Sequence, residues 1–113
     1  MSDIHAHLRF LPISAQKVRL VIDVVRGKNA NQALDLLRFM TNRAAEPVFK
    51  LLTSAVANAE ENFGVSRDDL FVARITADEA PTRKWRRFGA RGRFKPILRR
   101  SSHITVVLRE RAQ

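Results

Sequence analysis

The chain has 113 residues, room for one domain of ordinary size, and 45% of them are apolar, enough for a modest core. It carries 21 Lys and Arg against 11 Asp and Glu, a formal net charge of +10; self-repulsion of that size is relieved by a polyanionic partner, nucleic acid first and an acidic membrane surface second. The absence of cysteine excludes disulfides and thiolate metal sites, and no run of about 18 apolar residues is long enough to span a membrane.

Met1 to Phe10 holds Asp3, two histidines and Arg9. It lacks the basic start and apolar core of a signal peptide, so the protein is expected to stay where it is made. His5 to Leu11 alternates loosely and reads as a short first strand that Pro12 interrupts. Ser14 is placed to cap a helix from Ala15 to Arg26, in which Val18, Val21, Ile22 and Val25 follow the i, i+3, i+4, i+7 spacing of a buried face. Gly27 ends it, with Arg26 favourable at the negative end of the helix dipole.

Asn31 is the expected cap of a second helix, striped by Leu34, Leu37 and Met40 and stopping near Thr41–Asn42. A third runs from about Ala45 to Asn62, with Pro47 tolerated in its first turn and Gly64 closing it. Val48, Leu51, Leu52, Ala55, Val56 and Ala59 form its buried face. After the turn signal Ser66–Asp69 the period changes from helical to alternating. Leu70, Val72 and Arg74 are expected on one face of a strand, with Phe71, Ala73 and Ile75 on the other. Ile104, Val106 and Leu108 alternate with Thr105, Val107 and Arg109 in a further strand, and Arg111 to Gln113 are expected to fray.

Between these two strands the charge is concentrated. The window from Thr82 to Arg100 holds nine cations, Arg83, Lys84, Arg86, Arg87, Arg91, Arg93, Lys95, Arg99 and Arg100, and no acid. The rest of the chain keeps 12 basic and 11 acidic residues and is nearly neutral. A structureless loop of that length is unusual inside a small domain. The strands are therefore expected to continue outward as a hairpin that turns near Gly89 and Gly92. Two arms of about 20 residues, at roughly 3.3 Å each, span roughly 65 Å. The expected organisation is one domain over residues 1–113, with 80–102 as an extended basic arm.

Seven of the nine cations are arginines, whose planar guanidinium binds phosphate bidentately and stacks on bases. Trp85, Phe88 and Phe94, interleaved with them, offer flat surfaces to unpaired bases, or else form a small apolar cluster that stiffens the hairpin. Cations on both faces of such an arm suit an object surrounded by RNA. A DNA-binding regulator using the same arm, or a membrane-active cationic protein, are the other binding classes. The latter needs a continuous apolar face that the arm lacks.

Catalytic chemistry has little to stand on. His5 and His7 share a strand face that zinc could use, but no cysteine or placed carboxylate completes a ligand set. His103 beside Ser101 and Ser102 has no sequence-adjacent acid to orient it. Asp68–Asp69 and Asp78–Glu79 read as turn or surface acids, and glycine-rich phosphate loops and nucleophile elbows are missing. Neither a catalytic residue, a metal nor a cofactor is expected.

SAQKVRLV at Ser14–Val21, RGK at Arg26–Lys28, ANAE at Ala57–Glu60, ARGR at Ala90–Arg93 and SHITVV at Ser102–Val107 occur in an order and spacing that resembles the bacterial-type large-subunit ribosomal protein twenty-two family over nearly the whole chain. The resemblance implies an α+β fold of three helices on a small antiparallel sheet with a long protruding β-hairpin. It implies binding to large-subunit ribosomal RNA, support of early subunit assembly, and a hairpin lining the nascent-polypeptide exit tunnel of the cytoplasmic or an organellar ribosome. Partners would be that RNA, neighbouring large-subunit proteins and the nascent chain in transit, with no membrane and no small-molecule substrate.

Carried over by position, Lys17, Arg19, Arg26 and Lys28 contact RNA. Arg83, Lys84, Trp85, Arg86, Arg87, Arg91, Arg93, Lys95, Arg99 and Arg100 do so along the arm. Phe88, Gly89, Ala90, Arg91, Gly92 and Arg93 form the tunnel-facing tip, where Phe88–Gly89 stands in place of the Pro-Arg pair common in the family.

Overall fold

The strand that precedes the first helix and the one that ends the chain are neighbours, which sets the whole architecture. The computed structural model describes residues 3–81, 83–88 and 94–111, with 83–88 and 94–99 described by backbone course and pairing. Chain order is β1 (Ile4–Leu11), α1 (Ala15–Val25), α2 (Ala30–Phe39), α3 (Ala45–Phe63), a 3-10 turn (Arg67–Asp69), β2 (Leu70–Glu79), β3 (Arg83–Phe88), β4 (Phe94–Arg99) and β5 (Ser102–Glu110). β1, β5 and β2 form an antiparallel sheet in that order, and β3 and β4 form a separate two-stranded ladder. The class is α+β, as the sequence predicts.

The helices cover one face of the three-stranded sheet. Val18, Val21, Ile22 and Val25 of α1, Leu34 and Leu37 of α2, and Val48, Leu52, Val56 and Ala59 of α3 meet Ile104, Val106 and Leu108 of the central strand β5 in one core. Each large aliphatic side chain buried there contributes on the order of 1.5–3 kcal/mol. Gly64 ends α3 in the left-handed conformation at φ 64, as the closing glycine should. Among the described residues no helix is long and apolar enough to cross a membrane.

Four local expectations are corrected. The cap of α2 is Asn29, whose side chain accepts a 3.0 Å bond from the Asn31 amide. Asn31 lies inside the helix, and its side-chain Nδ2 donates to Asp68 Oδ1 at 2.8 Å. Asn29 is favoured because the same residue bridges to Phe71 and so fixes the helix start against β2. Ser14 stands at the α1 cap position, but its side chain makes no capping bond.

The alternation along β2 reverses midway. Leu70 and Val72 are buried, but so are Ile75 and Ala77, while Arg74 is exposed. The pairing register with β5 shifts between Val72 and Arg74, and one extra residue in a strand moves every later side chain to the opposite face. Arg111 is tied down: its amide donates to the Asp69 carbonyl at 2.7 Å and its guanidinium lies 4.8 Å from the Phe71 ring centre. Ala112 and Gln113 lie outside the described residues.

The outer edge of β2 is covered by α1 and the turn that follows it. Val72 accepts from the Gly27 amide at 3.0 Å and donates to the Lys28 carbonyl at 2.9 Å. Further along, Arg26 Nη2 donates to the Ile75 carbonyl at 2.9 Å, and Arg19 donates through Nε and Nη2 to the Ala77 carbonyl at 3.2 and 2.9 Å. Two arginines thereby satisfy carbonyls that would otherwise template edge pairing.

The arm leaves the sheet where the Ala80 amide donates to the Ser101 carbonyl at 3.0 Å. Beyond that point β3 and β4 pack chiefly on each other. The chain measures 66 × 25 × 18 Å with a radius of gyration of 17.2 Å, against about 13 Å for a compact chain of this length. The elongation matches a projecting hairpin, although the arm is a second ladder and not an unbroken extension of β2 and β5.

Candidate nucleic-acid interface

On the arm, pairing decides which charges face each other. The ladder opposes Arg83 to Arg99, Lys84 to Leu98, Trp85 to Ile97, Arg86 to Pro96, Arg87 to Lys95 and Phe88 to Phe94. Cations therefore stand at four of the six rungs, Arg83–Arg99, Lys84–Leu98, Arg86–Pro96 and Arg87–Lys95. Two rungs set cation against cation, an arrangement that destabilises an isolated sheet. The Trp85–Ile97 and Phe88–Phe94 rungs are of the kind that stabilises one. Pro96 is tolerated because every strand of a two-stranded ribbon is an edge. Of the expected tip, Phe88 ends β3, and Gly89, Ala90, Arg91, Gly92 and Arg93 lie outside the described residues.

On the globular part, the predicted cations divide into two groups. Arg19 and Arg26 are exposed but committed to β2 carbonyls, and Arg26 is also paired with Asp23. Lys17 and Lys28 are exposed, Lys28 in the turn after α1. A cleft of about 770 Å³ opens at the start of α1, beside the root of the arm, and gathers Lys17, Arg43 and Arg100 with Ser14, Gln16 and Ser101; Glu79 also lines it. The amino end of a helix and three cations against the one carboxylate of Glu79 make this cleft net positive.

Arg43 escapes sequence reasoning because it is a lone cation between α2 and α3. Only the packing of that turn beside Lys17 and Arg100 gives it meaning.

Elsewhere on the domain four cations meet acids. Among the described residues, salt bridges join Arg26 to Asp23, Lys50 to Glu46 at 3.3 Å, Arg67 to Glu60 at 2.7 Å and Arg109 to Asp3 at 2.8 Å, and none of them involves Lys17, Arg43 or Arg100. The hydrogen bond from Arg109 lowers the Asp3 carboxyl below its ordinary range, and the Glu60 carboxylate raises Arg67. Internal acids thus neutralise part of the globular surface, and the arm has no acid of its own.

Two of the three histidines have ordinary hydrogen-bond partners. His7 Nδ1 lies 3.1 Å from Thr105 Oγ1, and His103 Nδ1 accepts from the Phe10 amide at 3.0 Å, which places the proton of a neutral ring on Nε2. The register sets Asp78 across from His103, an acid that lies 25 residues away in sequence. Among the described residues no three His, Cys, Asp or Glu side chains converge as a metal site.

Residues 6–109 match the family described as ribosomal protein L22p/L17e. The chain is 48% identical over 103 residues to the large ribosomal subunit protein uL22 of Thermoanaerobacter sp. (strain X514), covering 91% of this chain and 93% of that protein. It is 56% identical over 95 residues to the large ribosomal subunit protein uL22 of Dehalococcoides mccartyi (strain CBDB1), covering 84% and 87%.

Proposed function

Because the chain belongs to the ribosomal protein L22p/L17e family, we propose that it is a structural protein of the large ribosomal subunit that binds ribosomal RNA, supports subunit assembly and extends its arm along the polypeptide exit tunnel. It works in the cytoplasmic ribosome and without chemistry of its own. The observation that carries the RNA reading is the arm's register. Arg83 opposes Arg99 and Arg87 opposes Lys95, in a window without a single acid, so the ladder calls for external anions to offset its own repulsion. Folded RNA supplies phosphates on every side of such a ribbon.

In this reading residues 80–102 are the arm of a single domain, and RNA is held by two sets of residues. Arg83, Lys84, Arg86, Arg87, Lys95, Arg99 and Arg100 neutralise phosphates along the arm, together with Arg91 and Arg93. Lys17 and Lys28 do so on the body, with Arg43 joining them. Arg19 and Arg26 act first as clamps on β2 and touch RNA only with what their exposed edges leave over. Residues 88–93 form the tunnel-facing tip, next to the nascent chain, and neighbouring large-subunit proteins complete the surroundings.

The test is binding of the full chain to protein-free large-subunit RNA over a salt series. About six neutralised phosphates give a slope of log K on log salt of roughly −4 to −5. Replacing Arg83, Lys84, Arg99 and Arg100 together by Gln should flatten that slope by roughly 3 and prevent entry into large subunits, with helical circular dichroism unchanged. Normal incorporation of the quadruple variant would refute the role of the arm.

A further inference from the structure

Phe10 presents a combination that the fold does not require. Its φ of 56 makes it the one non-glycine residue in the left-handed region among the described residues, where a bulky L side chain stays only if its surroundings hold it. Two contacts do so. The Phe10 amide donates to His103 Nδ1 at 3.0 Å, and the two rings meet edge to face with centres 4.7 Å apart at 86°. The position is an irregularity of β1, between the Leu8–Ile104 and Leu11–Ser102 pairs.

That irregularity brings Leu11 into the core, and Leu11 is 9% exposed. The Phe10 ring gains no comparable burial, at 64% exposed. Asn or Gly would make the same bend more readily, so packing does not explain an aromatic residue there. In an edge-to-face pair, at least one flat side of the Phe10 ring is free of His103, whichever ring supplies the edge.

The surroundings select the occupant. Arg9, next in the chain, is exposed, and so is Arg100, which closes the arm two residues before β5 begins. Asp78 lies across β5, on the far side of His103 from β1. An exposed aromatic face on a stretch whose chain neighbour Arg9 and whose arm-root residue Arg100 are exposed cations suits a planar, apolar group carried on an anionic chain. We propose that Phe10 is a preset stacking platform for one unpaired nucleobase, beside the root of the arm. This rests on the RNA reading above and adds to the phosphate contacts a site that recognises a base.

The test uses the full chain and protein-free large-subunit RNA. Phe10→Asn keeps the amide and tolerates the left-handed backbone, so it should melt no lower than the natural protein. It should nevertheless bind on the order of 5- to 100-fold more weakly. Stacking releases no counterions, so the salt slope should be unchanged, unlike that of the arm variants. Phe10→Leu, which keeps apolar bulk without a flat face, should show the same loss and covers the case in which Asn perturbs the sheet. Phe10→Trp should bind within about threefold of the natural protein. Unweakened binding by the Asn and Leu variants, with the natural protein binding normally, overturns the platform and leaves Phe10 to a neighbouring protein. Failure of the natural protein to bind this RNA overturns the RNA reading itself.

Discussion

Ser102 Oγ donates a 2.9 Å hydrogen bond to the carbonyl oxygen of Ile13, a residue 89 positions away in the chain. Ser102 is fully buried and Ile13 is 7% exposed. Ser102 also pairs with Leu11 of β1 and Glu79 of β2, so this hydroxyl joins the entry to α1 with the point where the arm returns to the sheet. Ser102→Ala leaves a nearly buried carbonyl without its partner. It should cost about 1–2 kcal/mol, read from the midpoint of urea unfolding.

Arg19 and Lys17 sit two residues apart on α1 and should respond oppositely to truncation. Arg19→Ala frees the Ala77 carbonyl at the sheet edge and should destabilise the fold by about 1 kcal/mol. Lys17→Ala should change unfolding by less than about 0.5 kcal/mol while lowering affinity for large-subunit RNA. Equal effects of the two variants on stability would show that the clamp contributes nothing.

The arm should be dispensable for folding. Its strands pack on each other, and the bond from the Ala80 amide to the Ser101 carbonyl closes the sheet beneath it. Replacing residues 81–100 by Asn-Gly, a favoured two-residue hairpin turn, should leave a cooperative thermal transition within a few degrees of the natural one. The same variant should lose most of the salt-sensitive RNA binding.

Asp3 makes acid sensitivity testable at one site. Its folded pKa lies below the unfolded one, chiefly through the hydrogen bond from Arg109. Its contribution is therefore complete above the unfolded value and disappears as the pH falls through the folded one. Arg109, raised by the same pair, stays protonated throughout. Asp3→Asn should unfold earlier than the natural protein at neutral pH and together with it near about pH 2. The difference should be small, because both side chains are substantially exposed.

Sequence and structure agree on which segments form the helices and strands. The three helices were legible because a 3.6-residue stripe, a closing Gly64 and a Pro47 confined to the first turn are properties of neighbouring residues. The basic arm was legible because charge density is a property of composition, and strand alternation flanks it on both sides. The choice of Asn29 over Asn31 as a cap was not, since both residues suit the position and contact with β2 settles it.

The amino-acid order by itself determined the helices, the two strands bounding the arm and the place where positive charge accumulates, each encoded within a few consecutive turns or rungs. Tertiary structure alone decided that Ile75 and not Arg74 enters the core, that Arg19 and Arg26 serve carbonyls of β2, that Arg43 joins Lys17 and Arg100, and that Phe10 rests against His103. A register shift by one residue changes every face beyond it. The partners in these contacts lie tens of residues apart, so their meeting depends on how whole elements pack, which no short stretch of sequence specifies.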